Sequence, residues 1–142
     1  MINIKNISKT LDFAKISDLL HFALDEKVSG VTINVIEFNS ILDRLSTPDY
    51  TFDALTYPTN MEHTYSLVIR SKASNLERIV FHESIHLLQY EAGRLKFNTQ
   101  NGRCEWDGVT FSASFPYDAR PWEKEAFKGQ DELMHEWKKA NK

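Results

Sequence analysis

The apolar positions of this chain fall into a few periodic runs separated by polar breaks. Between residues 75 and 92, Leu76, Val80 and Leu87 cluster on one side of a helical projection, and Phe81, Ile85 and Leu88 on another. The segment is apolar around most of its circumference, which predicts a buried helix. Ser74 and Glu77 have capping-box spacing at its start, and Gly93 is a natural stop. A broken stripe of Leu11, Ala14, Leu19, Phe22 and Ala23 predicts an earlier helix over residues 8–26, capped by Ser8 or Thr10 and ended by Gly30. Pro121 opens a last helix running to about residue 139.

Strand patterns lie between these helices. Residues 31–38 are β-branched, with Val31, Ile33 and Val35 on one face, and residues 65–70 form a second strand. Residues 103–112 read as a hairpin turning at Asp107-Gly108. Residues 41–45 suit one or two helical turns. Residues 47–64 contain Pro48, Pro58 and several aromatics without a period, and read as a long loop, often functional at that length. The expected fold is α+β in one domain over residues 1–142. In chain order this is a helix, strands, the residue 75–92 helix, a hairpin and a C-terminal helix.

Composition narrows the class. The chain has 142 residues, enough to bury its own core. No apolar run approaches the ~18 residues of a membrane span, and residues 1–10 lack a signal-peptide core. A net charge of −3 gives no footprint for nucleic acid. The single cysteine, Cys104, rules out an internal disulfide and fits a reducing compartment, so the cytoplasm is expected. Cys104 itself reads as an inert buried thiol. The tryptophans Trp106, Trp122 and Trp137 read as core.

The candidate chemistry sits on the central helix. His82-Glu83-Ser84-Ile85-His86 reads H-E-x-x-H. Two histidines four apart share one helical face, so both imidazoles reach a single metal ion. Glu83 stands beside that ion and can take a proton from a bound water. His82, His86 and Gln89 lie in the strip between the two apolar clusters, and buried imidazoles need partners. The competing reading is two hydrogen-bonded core histidines with Glu83 in solvent, and Gln89 suits a structural hydrogen bond. Zinc in a hydrolytic site takes three protein ligands and keeps one position open. No third histidine follows nearby, so a carboxylate is expected. Glu123 falls inside the apolar stripe of the last helix, among Trp122, Ala126, Phe127, Leu133, Met134 and Trp137. Glu125 falls beside Glu132 and Glu136 on the opposite face. A carboxylate in an apolar stripe is costly unless paired or metal-bound. This selects Glu123 as third ligand and leaves Glu125 as a surface charge. The competing partner for Glu123 is an arginine, Arg70 or Arg120.

Those segments resemble the gluzincin branch of the zincin metallopeptidases in minimal form, which implies a minimal zincin-like fold: a small twisted sheet packed on the N-terminal helix and the H-E-x-x-H helix, with a hairpin and a C-terminal ligand-bearing helix. The stretch from His82 to Gln89 resembles their H-E-x-x-H-x-x-Q variant, and Glu123-Lys124-Glu125-Ala126 resembles their E-x-x-A element, whose first glutamate is the ligand. Trp106-Asp107-Gly108 followed by Pro121-Trp122-Glu123 is also similar to small uncharacterised peptidases of phage genomes, which would place the chain in a host cytoplasm. The resemblance spans roughly residues 31–134. It implies zinc-dependent hydrolysis of a peptide or protein substrate. His82, His86 and Glu123 would hold Zn²⁺, and Glu83 would act as general base. An edge strand would align the substrate, with residues 65–70 as the candidate. Tyr117 is the first candidate oxyanion donor, ahead of His63 and His135. One position departs from the pattern. Some gluzincins carry an acidic residue four positions after the ligand glutamate, where it orients a histidine; here that position is Phe127, and a backbone carbonyl could serve instead. The alternative is a catalytically silent zincin-fold protein with a structural metal that binds a protein partner.

Overall fold

The computed structural model describes residues 1–7, 12–47, 51–98, 101–112 and 114–141. The proposed caps Ser8 and Thr10, together with Leu11 and Pro48, lie outside these. Strand β1 (Asn3–Asn6) is followed by α1 (Phe13–Leu24), β2 (Thr32–Glu37), α2 (Asn39–Leu45), β3 (Ala54–Pro58) and β4 (Thr64–Ile69). Then come α3 (Leu76–Glu91), β5 (Leu95–Asn98), β6 (Arg103–Trp106), β7 (Val109–Phe111) and α4 (Pro121–Ala140), the last preceded by a 3-10 turn at Tyr117–Ala119. The class is α+β. No helix among the described residues is long and apolar enough to cross a membrane.

The first sheet has the order β1-β2-β4-β3, with β1, β2 and β4 parallel and β3 antiparallel to β4. Val31, Ile33 and Val35 of the β2 region share one buried face, as their alternation predicts. They meet Ile16, Leu19, Leu20 and Leu24 of α1 and Val80, Phe81 and Leu87 of α3 in the main core. Trp137 packs at the rim of this core, edge-on to Phe22 at 5.1 Å. The second sheet is the meander β5-β6-β7. Its Leu95 and Trp106 meet Trp122 of α4 in a smaller apolar cluster. The β6–β7 turn holds Asp107 at φ 48° and Gly108 at φ 85°, two positive values that favour Asp-Gly in a tight hairpin.

Three strands escape the sequence pattern. β1 and β5 have four residues each, too few for a period to show. β3 lies inside the segment read as a loop. Its inward residues are Ala54 and Thr56, small and polar, so no apolar alternation announces it. It is an edge strand, where the terminal Pro58 is tolerated. The strand read at residues 65–70 is interior, flanked by β2 and β3, so its backbone is already paired on both sides.

Helix α3 begins one residue later than the capping box would place it. Asn75 occupies the N-cap at φ 58° with no side-chain cap bond, and Glu77 pairs instead with Lys15 of α1 at 2.8 Å. The C-terminus follows the glycine signal. Gly93 sits at φ 74°, its N–H bonds Tyr90 O and the Arg94 N–H bonds Gln89 O, closing a Schellman motif. Across α3, α4 approaches closely at Gly129, where a methyl group would come 2.7 Å from Ile85 Cδ1. That approach brings the start of α4 beside the histidines.

Candidate metal centre

Helix α3 presents His82 and His86 one turn apart, with ring centroids 4.9 Å from each other. Helix α4 presents Glu123 from its first turn, where the positive helix end favours a carboxylate. Both Nε2 atoms lie 3.0 Å from the same oxygen, Glu123 Oε1. All three residues are at most 8% exposed. Their candidate ligand atoms lie within 4.8 Å of one another, close enough to share an ion. Neither arginine competes for Glu123: Arg70 pairs with Asp43, and Arg120 Nε donates to Phe115 O.

The outer face of each imidazole is also fixed. His82 Nδ1 is 3.0 Å from Gln130 Oε1, and His86 Nδ1 is 2.8 Å from Gln89 Oε1. A carbonyl oxygen only accepts, so each Nδ1 carries the proton. A neutral ring then points its Nε2 lone pair at a carboxylate oxygen. Two lone pairs and an anion converging in a buried site need a cation between them. Without metal, a proton fills the role. Burial disfavours a charged His86, yet its hydrogen bond to Glu123 and the Glu123 and Glu83 charges push it up to about 9. Burial likewise opposes the Glu123 charge, but the two histidines hold its carboxyl well below the usual carboxylate range. Two nitrogens and one carboxylate oxygen are a donor set that suits zinc.

Glu83 is buried beside this group. Its Oε1 accepts from the Thr56 hydroxyl at 2.8 Å, so β3 orients it. The Tyr117 hydroxyl donates to Glu123 Oε1 at 2.9 Å. These residues line a cleft of about 230 Å³, together with Tyr90, Leu95 and Trp122. Cys104 also lines it, half-buried, with its thiol pushed up by burial, as an inert thiol would be.

The structure brings together His82, Glu83, His86, Tyr117 and Glu123. It does not bring in His63, which pairs with Glu91, or His135, which lies exposed further along α4. Glu125 is not a bare surface charge: it is half-buried and receives two bonds from Arg94. Sequence reasoning missed Gln130 and Thr56. Gln130 had a signal, because it lies seven residues and two turns after Glu123, in the same apolar stripe. No family model matches this chain, nor does any curated protein or any solved structure.

Proposed function

We propose that the chain is a zinc-dependent metallopeptidase of minimal zincin type, with His82, His86 and Glu123 as metal ligands. One observation carries the reading. Two Nε2 atoms and one carboxylate oxygen converge at 3.0 Å beside a second, separately oriented carboxylate, in an open cleft. Zinc bound there would supply a Lewis acid that activates water and polarises a carbonyl.

The chain's own residues supply the rest. Thr56 holds one oxygen of Glu83, leaving the other to accept the proton of the attacking water and pass it to the leaving amine. Tyr117 stands on the cleft wall, and its hydroxyl, which donates to Glu123 Oε1 in the metal-free arrangement, would have to turn to the oxygen that gains charge as the carbonyl is attacked. β3 takes the substrate-aligning role given to residues 65–70. It is an edge strand on the cleft, and among the described residues no strand covers its outer side. Gln130 takes the orienting role of the acidic residue that Phe127 replaces, while the Phe127 ring packs 4.5 Å from His82.

A silent binder with a structural metal would be expected to close the coordination sphere. Among the described residues the donor group has three members, and it opens on a cleft, which favours the enzyme. The test is a mixed peptide library incubated with zinc-loaded wild type and Glu83→Gln. We expect cleavage by wild type, and a variant that keeps one zinc per chain but loses at least about a hundredfold in rate. Equal cleavage by both would remove Glu83 from the mechanism. A wild type that binds zinc and cleaves nothing would favour the binder.

A further inference from the structure

The centre is tied to the molecular surface by hydrogen bonds that no ligand role explains. Gln89, which accepts from His86, is only 2% exposed. Its NH₂ group has two acceptors, Trp122 O at 3.0 Å and Glu125 Oε1 at 3.2 Å. Glu125 accepts in turn from Arg94 Nη1 and Nη2, each at 2.9 Å. The same guanidinium donates to Asp107 at 2.9 and 3.2 Å and lies 4.4 Å over the Trp106 ring. One side chain after α3 thus joins the start of α4 to the β6–β7 turn.

The chemistry of an amide gives this chain of contacts a consequence. Gln89 can face His86 with its oxygen or its NH₂. With the oxygen facing, His86 keeps its proton on Nδ1 and offers Nε2 to a metal. With the NH₂ facing, the proton must move to Nε2, and the metal-binding lone pair is lost. A flipped Gln89 would set its oxygen against Trp122 O and Glu125, a carbonyl and a carboxylate that can only accept. Trp122 O and Glu125 therefore oppose the flip together, and Arg94 holds Glu125 in place for its share.

We propose that Arg94 and Glu125 are positioning residues of the metal centre, which lock the Gln89 amide and so fix the metal-binding tautomer of His86. The proposal rests on the zinc reading above. It requires no substrate, so it is tested on the metal alone.

The experiment is zinc affinity, measured by competition with a chromophoric chelator in Arg94→Met, Glu125→Ala and Gln89→Met, singly and combined. Outer-shell partners of zinc ligands are worth 10- to 100-fold in affinity, and we expect a smaller loss of about three- to tenfold for Arg94→Met and for Glu125→Ala, because Trp122 O still opposes the flip. In the Gln89→Met background the same substitutions should add less than about twofold, because the route to His86 is already cut. A merely structural pair would weaken binding by the same factor in both backgrounds. Arg94→Lys, with one point charge, should recover only part of the loss. If Arg94→Met or Glu125→Ala fails to fold, Glu125→Gln keeps the shape and is expected to weaken zinc in the same background-dependent way. Wild-type affinity in the folded variants, or additive losses, overturns the proposal while leaving the zinc reading intact. A wild type that takes up no zinc overturns both.

Discussion

His82 and His86 sit on the same helix face and meet the same carboxylate oxygen, yet their outer nitrogens meet amides from different places. Gln89 lies on their own helix and Gln130 on the facing one. Both partners are neutral, so the rings are oriented without added negative charge. Substituting Gln130→Leu should weaken zinc binding by 10- to 100-fold with little change in secondary structure, read by competition titration and circular dichroism. A pH dependence follows from the proton that holds His86 and Glu123 together without metal. The folded-state value of His86 rises from 6.5 to about 9. That contribution to the metal-free fold is therefore complete below 6.5 and lost as pH climbs through about 9. Zinc displaces the proton, so uptake at pH 7 should release about one proton per chain. Calorimetry in buffers of different ionisation enthalpy reads that number, and zero release at pH 7 would contradict the arrangement.

At the scale of elements, the site depends on how closely α3 and α4 approach. Gly129 permits it, since a Cβ there would lie 2.7 and 2.8 Å from Ile85 Cδ1 and Cγ1. Alanine would raise helix propensity by about 1 kcal/mol. The forced contact should cost about 1–3 kcal/mol and outweigh that gain. We expect Gly129→Ala to lower the melting temperature and to weaken zinc, because Glu123 rides on the displaced helix. A higher melting temperature with unchanged zinc affinity would refute this. The helices were legible in the sequence, as were β2, β4 and the hairpin that turns at Asp107-Gly108. Their long apolar periods placed α3 and α4 and selected Glu123 over Glu125 by phase alone. β3 was illegible for a physical reason: the inward position that should carry an apolar residue carries Thr56, spent on orienting Glu83. The site thus hid the strand that serves it. Gln130 was legible and overlooked, a polar residue in an apolar stripe read only for its carboxylate.

Across the whole molecule, the buried apolar residues of α1, α3 and the first sheet, with Leu133 of α4, make the main core. The cleft lies to one side, between β3, α3, α4 and the second sheet. Removing metal should therefore leave the α+β fold in place, unlike a domain folded by its zinc. We expect chelation to lower thermal stability by the linkage amount, about 2.7 kcal/mol when free zinc stands at 100 times its dissociation constant. Loss of the folded far-ultraviolet spectrum on chelation would show that the core is insufficient. The ligand geometry is open to direct measurement by zinc-edge X-ray absorption on the loaded protein. Nitrogen and oxygen neighbours are expected at about 2.0–2.2 Å, two of them imidazole, and no sulfur. A sulfur shell near 2.3 Å would bring Cys104 into the coordination sphere and contradict the three-ligand centre of His82, His86 and Glu123.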